Sequence, residues 1–289
     1  MDRMGCRLIA DGGSSKVHWA VVDGDGRVKK TFFSKGVNPF VTGEDVIREV
    51  FEREVKAELE GMAVERVEFY GAGCRDHGID VMRSAIRWLV GDGADVVVDS
   101  DMAGACLALL GEDAGVACIL GTGANSCYYE GGAIVEKVPS LGYVLGDEGS
   151  GAWLGKRVAA DAIQGLLPKD LCRDFFSFSG LTGDEIVRRV YRPAYGEDAP
   201  NRFLAGFAPF LSCHIGRVEI RAIVEAGFRS FFRRSVAPYF TTSGRDVTVN
   251  FVGSIASVFE DVLRDVASAD GYVIGKIIRS PMDGLLEGV

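Results

Sequence analysis

Apolar positions near the start of the chain fall into short compact runs, and later ones fall into helical spacing. LIAD (8–11) predicts a buried strand closed by the glycine turn GGSSK. HWAVVD (18–23) predicts a second strand, DGDG (23–26) a hairpin turn and VKKTFF (28–33) a third strand. Over 44–59, apolar residues at 46, 47, 50, 51, 55 and 59 keep to one face of an amphipathic helix. VERVEFYGAG (64–73) predicts a strand and 79–90 a helix carrying Ile79, Met82, Ile86 and Leu89. ADVVVD (94–99) then runs as a strand into the helix MAGACLALLG. Three hairpin-linked strands followed by α-β-α-β-α make a mixed sheet covered by helices.

The pattern then restarts. GVACILG (115–121) predicts a buried strand followed by the turn GTGAN, SCYYE (126–130) the next strand and AIVEKV (133–138) a third. A helical region follows from about 151 to 239, then a strand VTVNFVG (247–253), a helix around 255–268 and a short strand GYVIG (271–275). The two glycine turns stand at the same point in each half, which reads as an internal duplication of topology. The division falls near 110–115, giving parts 1–112 and 113–289, with the final residues free to pack back on the first part.

Composition narrows the class. The chain has 289 residues, 47% of them hydrophobic and 25% charged, as expected of a globular protein with a substantial core. A net charge of −9 argues against a nucleic-acid partner, which needs clustered Lys and Arg. No apolar run approaches a membrane span and MDRMGCRLIAD is no signal peptide. Seven cysteines with no CxxC pair read as reduced thiols of a cytoplasmic protein, without a zinc cluster or disulfide frame. His18, His77 and His214 share no ligand spacing and read as structural.

The candidate chemistry sits at the strand ends. A glycine turn between strands lets backbone N–H groups face an anion without side-chain clash. DGGSSK adds a carboxylate, two hydroxyls and a lysine, which suits a metal–phosphate complex, and GTGAN offers a second such turn. Neither is a GxxxxGK[ST] or GxGxxG motif. VVVDSDMAGA (96–105) ends a strand in two acids, Asp99 and Asp101, the latter at a helix start. Strand alternation places both on one side, so periodicity leaves open which of them does chemistry.

Taken together, LIADGGSSKVHWAVVD, GVNPF, VVDSDMAGA, CILGTGANS, GYVLGDEGSGAWLG and VNFVGSIA resemble the N-acetylglucosamine kinase and BadF/BadG/BcrA-type group of the actin–hexokinase–Hsp70 ATPases. The resemblance covers nearly the whole chain. It implies an α/β fold of two ribonuclease-H-like lobes, each a βββαβαβα unit, with a nucleotide cleft between them. It further implies ATP and Mg²⁺, with Asp11 holding the metal through water. Gly12, Gly13, Ser14, Ser15 and Lys16 face the phosphates in that scheme, Gly121, Thr122 and Gly123 hold them from the other part, and Gly253, Ser254 and Ile255 pack on the adenosine. Asn38 and Asn125 are placed at the sugar, with Asp147 and, less centrally, Glu148 on its hydroxyls. Ala124 stands where the family often has serine. Between the two acids, the resemblance selects Asp101 as general base, because the family pattern is an Asp followed by small residues opening a helix. The activity implied is phosphorylation of an amino sugar, N-acetylglucosamine at its 6-OH, by a protein whose relatives are commonly homodimers. Glucosamine or N-acetylmuramic acid as substrate, or a regulator that has kept the fold without turnover, are the alternatives. An iron–sulfur cluster of the BadF type is disfavoured by the scattered cysteines. A DNA-binding helix-turn-helix is disfavoured too, since the first strand begins by residue 8.

Overall fold

The computed structural model describes residues 5–13, 16–40, 42–194, 198–241 and 247–287. They divide into two compact units, Met1–Gly111 with Ser280–Val289, and Glu112–Arg279.

In the first unit β1 (Cys6–Gly12), β2 (Lys16–Asp23) and β3 (Val28–Lys35) are followed by α1 (Glu44–Glu54), β4 (Val64–Gly71), α2 (His77–Val90), β5 (Asp95–Ser100) and α3 (Asp101–Leu110). The sheet order is β3-β2-β1-β4-β5. The hairpin strands pair antiparallel, whereas β1, β4 and β5 run parallel, so their carboxyl ends share one edge. β1 is apolar on both faces because both are covered. Leu8 and Ala10 join Trp19, Phe51, Phe69, Met82 and Ile86 in one core, and Ile9 points the other way with Ala20 and Val22. The buried Trp19 indole N–H donates to Ser34 Oγ at 2.9 Å, so it enters the core without a lost hydrogen bond.

The predicted helix over 44–59 is interrupted. α1 ends at Glu54, and a 3₁₀ turn over Lys56–Leu59 replaces its last turn. Buried Val55 and Leu59 keep the apolar face, and periodicity alone does not register the tighter winding.

The second unit repeats the plan. β6 (Gly115–Leu120), β7 (Ala124–Glu130) and β8 (Ala133–Glu136) lead into the helices α4 (Gly142–Leu145), α5 (Gly151–Ile163), α6 (Lys169–Ser179), α7 (Gly183–Tyr191), α8 (Pro200–Ala205), α9 (Ala208–Cys213) and α10 (Val218–Phe231). A π-helical turn, Phe232–Val236, joins α10 to α11 (Ala237–Thr241). β9 (Val249–Val252), α12 (Ser254–Val258), α13 (Glu260–Ala269) and β10 (Ile274–Ile278) complete the unit. The sheet order β10-β9-β6-β7-β8 matches β5-β4-β1-β2-β3 strand for strand. β6, β9 and β10 are the parallel set here. Aromatics dominate the core, with Phe175, Phe210, Phe228, Phe231, Phe232 and Phe251 all fully buried.

Two expectations need correction in this unit. The single helix around 255–268 is two helices, broken where Phe259 leaves helical geometry at φ −109°, ψ 28°. The last strand lies not at 271–275 but at Ile274–Ile278, because Gly271 (φ 82°) completes the turn after α13 and the ladder to β9 begins at Ile274. After β10 the chain enters α14 (Pro281–Leu285), which belongs to the first unit. There Met282 is buried against Ile9, Ala20 and Val22.

Candidate active site

The first unit presents three parallel strand ends in a row: Gly12-Gly13 after β1, Gly71–Gly73 after β4 and Asp99–Asp101 after β5. Ligands in open α/β sheets bind at such a carboxyl edge. Gly12 has a packing reason to be glycine, since a Cβ there would come within 2.6 Å of the Phe69 ring. Gly13 closes the hairpin, its N–H donating to the Lys16 carbonyl at 2.9 Å. Ser14 and Ser15 lie outside the described residues. Lys16 is exposed, with its ammonium 4.6 Å from the Phe33 ring centre.

Asp11 and Asp101 are brought together at this edge. Burial pushes the Asp11 carboxyl up to about 6, the charge of Asp101 adds to the rise, and Lys16 partly opposes it. The strand alternation that linked Asp99 to Asp101 does not apply. β5 stops at Ser100, whose Oγ caps α3 by accepting from the Ala103 N–H at 3.2 Å, and Asp101 is the first helical residue. Asp99 is exposed and accepts from the Ser100 N–H, whereas Asp101 is half-buried with Oδ1 accepting from the Met102 N–H at 2.9 Å. Burial, followed by the charges of Asp101 and Asp99, lifts the nearby Cys74 thiol to about 12, so it is no nucleophile at neutral pH.

Asn38 precedes the buried Pro39 and makes an Asx-type turn, its Oδ1 accepting from the Phe40 N–H at 3.1 Å. The same oxygen lies against Gly73 (φ 81°), where a Cβ would overlap it. The β4 glycine cluster GAG, a segment the sequence reading treated only as the end of a strand, thus packs against Asn38.

In the second unit β6 ends in Gly121-Thr122-Gly123, and β9 ends in Gly253 at φ 129°, where a Cβ would overlap the Leu120 carbonyl. Gly121, Thr122, Ser254 and Ile255 line one cavity of about 390 Å³, with Gly151 at the start of α5. At Gly121 a Cβ would meet nothing within 4 Å, so the turn faces open space there.

A second cavity, about 220 Å³, is lined by Asn125, Asp147, Glu148, Ser140, Pro139 and Arg234, among others. Asp147 takes the left-handed φ of 57°, unusual for a residue with a side chain, and its Oδ1 accepts from the Ala124 N–H at 3.2 Å. Burial raises the Asp147 carboxyl; the Ala124 N–H opposes, the charge of Glu148 adds and Lys156 lowers it again. Asn125 Oδ1 accepts from the Ser126 N–H at 3.0 Å. Glu148 pairs with Arg234 at 3.2 Å.

Arg234 and its support are absent from the sequence reading. The buried Tyr239 hydroxyl accepts from the Val138 N–H at 2.9 Å and lies 3.0 Å from Ser126 Oγ, which donates to the Ser235 carbonyl at 2.7 Å. This chain of bonds fastens β7, the segment after β8 and the π turn around one cavity. The signal in FFRRS was faint, because paired arginines on a helix read as a solvated face.

Among the described residues no three His, Cys, Asp or Glu cluster to hold a metal, and no helix is long and apolar enough to cross a membrane. Asp11 still suits a Mg²⁺ site, since Mg²⁺ keeps waters and takes few protein carboxylates. A cation would also offset the burial, and the charge of Asp101, that raise its carboxyl.

Two duplicated α/β units with glycine turns at matching strand ends define an actin-like ATPase fold, and solved structures agree. The chain is 37% identical to a protein from Porphyromonas gingivalis provisionally named N-acetylglucosamine kinase, over 97% of both chains, at a TM-score of 0.91. A protein of the same provisional name from Chromobacterium violaceum aligns over 99% of both chains at 18% identity and a TM-score of 0.72. A ROK family glucokinase from Streptomyces griseus, in complex with glucose and AMPPNP, covers 98% of this chain and 96% of its own at 15% identity and a TM-score of 0.56. No protein-family model and no curated protein matches. The chain belongs to the N-acetylglucosamine kinase family of ATP-dependent carbohydrate kinases.

Proposed function

We propose that this protein transfers the γ-phosphoryl group of Mg·ATP to a hydroxyl of an amino sugar, N-acetylglucosamine at its 6-OH. What carries the reading is the 37% identity over 97% of both chains to a protein provisionally named for that sugar.

Phosphoryl transfer needs positioning, neutralised charge and one group to accept the hydroxyl proton. The turns at Gly12-Gly13 and Gly121–Gly123, with Thr122 Oγ1 and Lys16, are assigned to the phosphates; Ser14 and Ser15 share that role by sequence. Asp11 is assigned to Mg²⁺ through water, and the ion supplies charge neutralisation at the phosphates when bound. The 390 Å³ cavity, with Ser254 and Ile255 on its wall, takes the adenosine. Asn38 and Asn125 can both donate to and accept from sugar hydroxyls, and Asp147 and Glu148 accept from them. Asp101 receives the proton of the attacking hydroxyl. It is the half-buried acid of the pair at the β5 end, beside the carboxylate assigned to the metal.

The test is phosphorylation with Mg·ATP over a panel of N-acetylglucosamine, glucosamine, N-acetylmuramic acid and glucose, the product position being read by NMR. N-acetylglucosamine 6-phosphate as the preferred product supports the proposal. A clear preference for another sugar corrects the substrate. ATP binding with no turnover on any sugar points to a regulator of the same fold and overturns the kinase reading.

A further inference from the structure

The duplication makes the two sheets comparable strand by strand, and the comparison singles out one residue. β10 stands in the second sheet where β5 stands in the first, at the far end of the parallel set. β5 runs into Asp99-Ser100, and β10 runs into Arg279-Ser280. Both serines cap the following helix with their hydroxyls, Ser100 for α3 and Ser280 for α14. The residue ahead of the cap is an acid at one edge and a guanidinium at the other.

Arg279 lines the 390 Å³ cavity together with Gly121, Thr122, Gly151 and Ser254. The Gly253 N–H donates to the Ile278 carbonyl at 3.0 Å, which ties the β10 end to the β9 turn and fixes where Arg279 emerges. The remaining wall is largely apolar, with Ala208, Pro209, Ile255 and Val258. No carboxylate lines this cavity and no acid pairs with Arg279 among the described residues. In a chain of net charge −9, an exposed arginine that shares a cavity with the hydroxyl residues Thr122, Ser212 and Ser254, with no acid beside it, is matched to an anion. A guanidinium is the side chain suited to bidentate contact with phosphate oxygens.

We propose that Arg279 is a phosphate-binding residue of the nucleotide site, reading the phosphate chain from the β10 end while the apolar wall holds the base. The assignment rests on the reading of this cavity as the ATP site. It gives the enzyme its discrimination between a nucleotide and the bare nucleoside.

The experiment compares wild type with Arg279→Gln and Arg279→Lys, measuring affinity for ATP and ADP by calorimetry and for adenosine by ligand-observed NMR. Arg279→Gln is expected to weaken ATP and ADP about 10- to 100-fold, the size of one charge-assisted contact. Adenosine affinity stays within about twofold of wild type, and Arg279→Lys recovers part of the ATP loss. The salt dependence of ATP binding becomes shallower in Arg279→Gln. Equal losses for adenosine and ATP would mean that the side chain stacks on the base, and would overturn the proposal. Unchanged ATP affinity in Arg279→Gln overturns the role of Arg279 and leaves the nucleotide cavity standing. Wild-type protein that binds no ATP overturns the nucleotide reading itself, and this proposal with it.

Discussion

Asp11 illustrates how a buried carboxylate costs the fold something. Its folded carboxyl value is about 6, raised by burial first and by Asp101 second. An unfolded aspartate titrates near 3.9. Between about pH 4 and pH 6 the folded chain therefore holds a proton that the unfolded chain has released, and stability falls as pH rises through that window, then levels off. Asp11→Asn removes the buried charge. It should be more stable than the parent at pH 8, by about 1–3 kcal/mol, with the difference gone near pH 4. Urea unfolding at the two pH values checks this, and Mg²⁺-dependent turnover of the variant should be lost. An equal stability difference at both pH values would contradict the account. The role proposed for Asp11 is one that would be retained against stability.

At the scale of elements, the glycines at strand ends have separable duties. Gly73 sits at φ 81° against Asn38 Oδ1. Gly73→Ala adds left-handed strain of about 1–2 kcal/mol and displaces the Asn38 amide. The expected result is a KM for the sugar raised about tenfold, with the KM for ATP nearly unchanged, in steady-state kinetics. Gly253→Ala, at φ 129° and against the Leu120 carbonyl, should instead raise the KM for ATP and lower the melting temperature of the variant. Sequence periodicity reached the hairpins, the parallel strands and most helices, because those depend on apolar spacing within about ten residues. It missed the break at Val55, the break at Phe259 and the start of β10, where neighbouring strands and turn geometry decide. Arg234 and Arg279 were hidden for a related reason. A π turn and the end of an edge strand carry no periodic signal, so a lone cation there looks like any surface arginine.

At the scale of the whole molecule, the chain starts in one unit, builds the second and returns to the first. α14 fits beside α3, where a Cβ on Gly284 would overlap the Ala108 carbonyl, and it buries Met282 under β1 and β2. Met282→Ala should therefore destabilise the first unit by about 2–4 kcal/mol, although the substitution lies at the opposite end of the chain. Hydrogen exchange would show faster opening of β1 and β2, with β6 and β9 unaffected. Uniform loss in both sheets would argue that the C-terminal segment is not specific to the first unit. The duplication itself was legible from the two glycine turns, but pairing β5 with β10, and hence Asp99 with Arg279, needed the sheet orders.

The central claim is that Asp101, and not Asp99, serves as base in transfer to a sugar. It is tested most directly by measuring γ-phosphoryl transfer to N-acetylglucosamine and ATP affinity in Asp101→Asn and Asp99→Asn. The account predicts that Asp101→Asn loses about 10²- to 10⁴-fold in turnover with ATP affinity nearly intact, while Asp99→Asn keeps substantial activity. The reverse ranking of the two variants would contradict it.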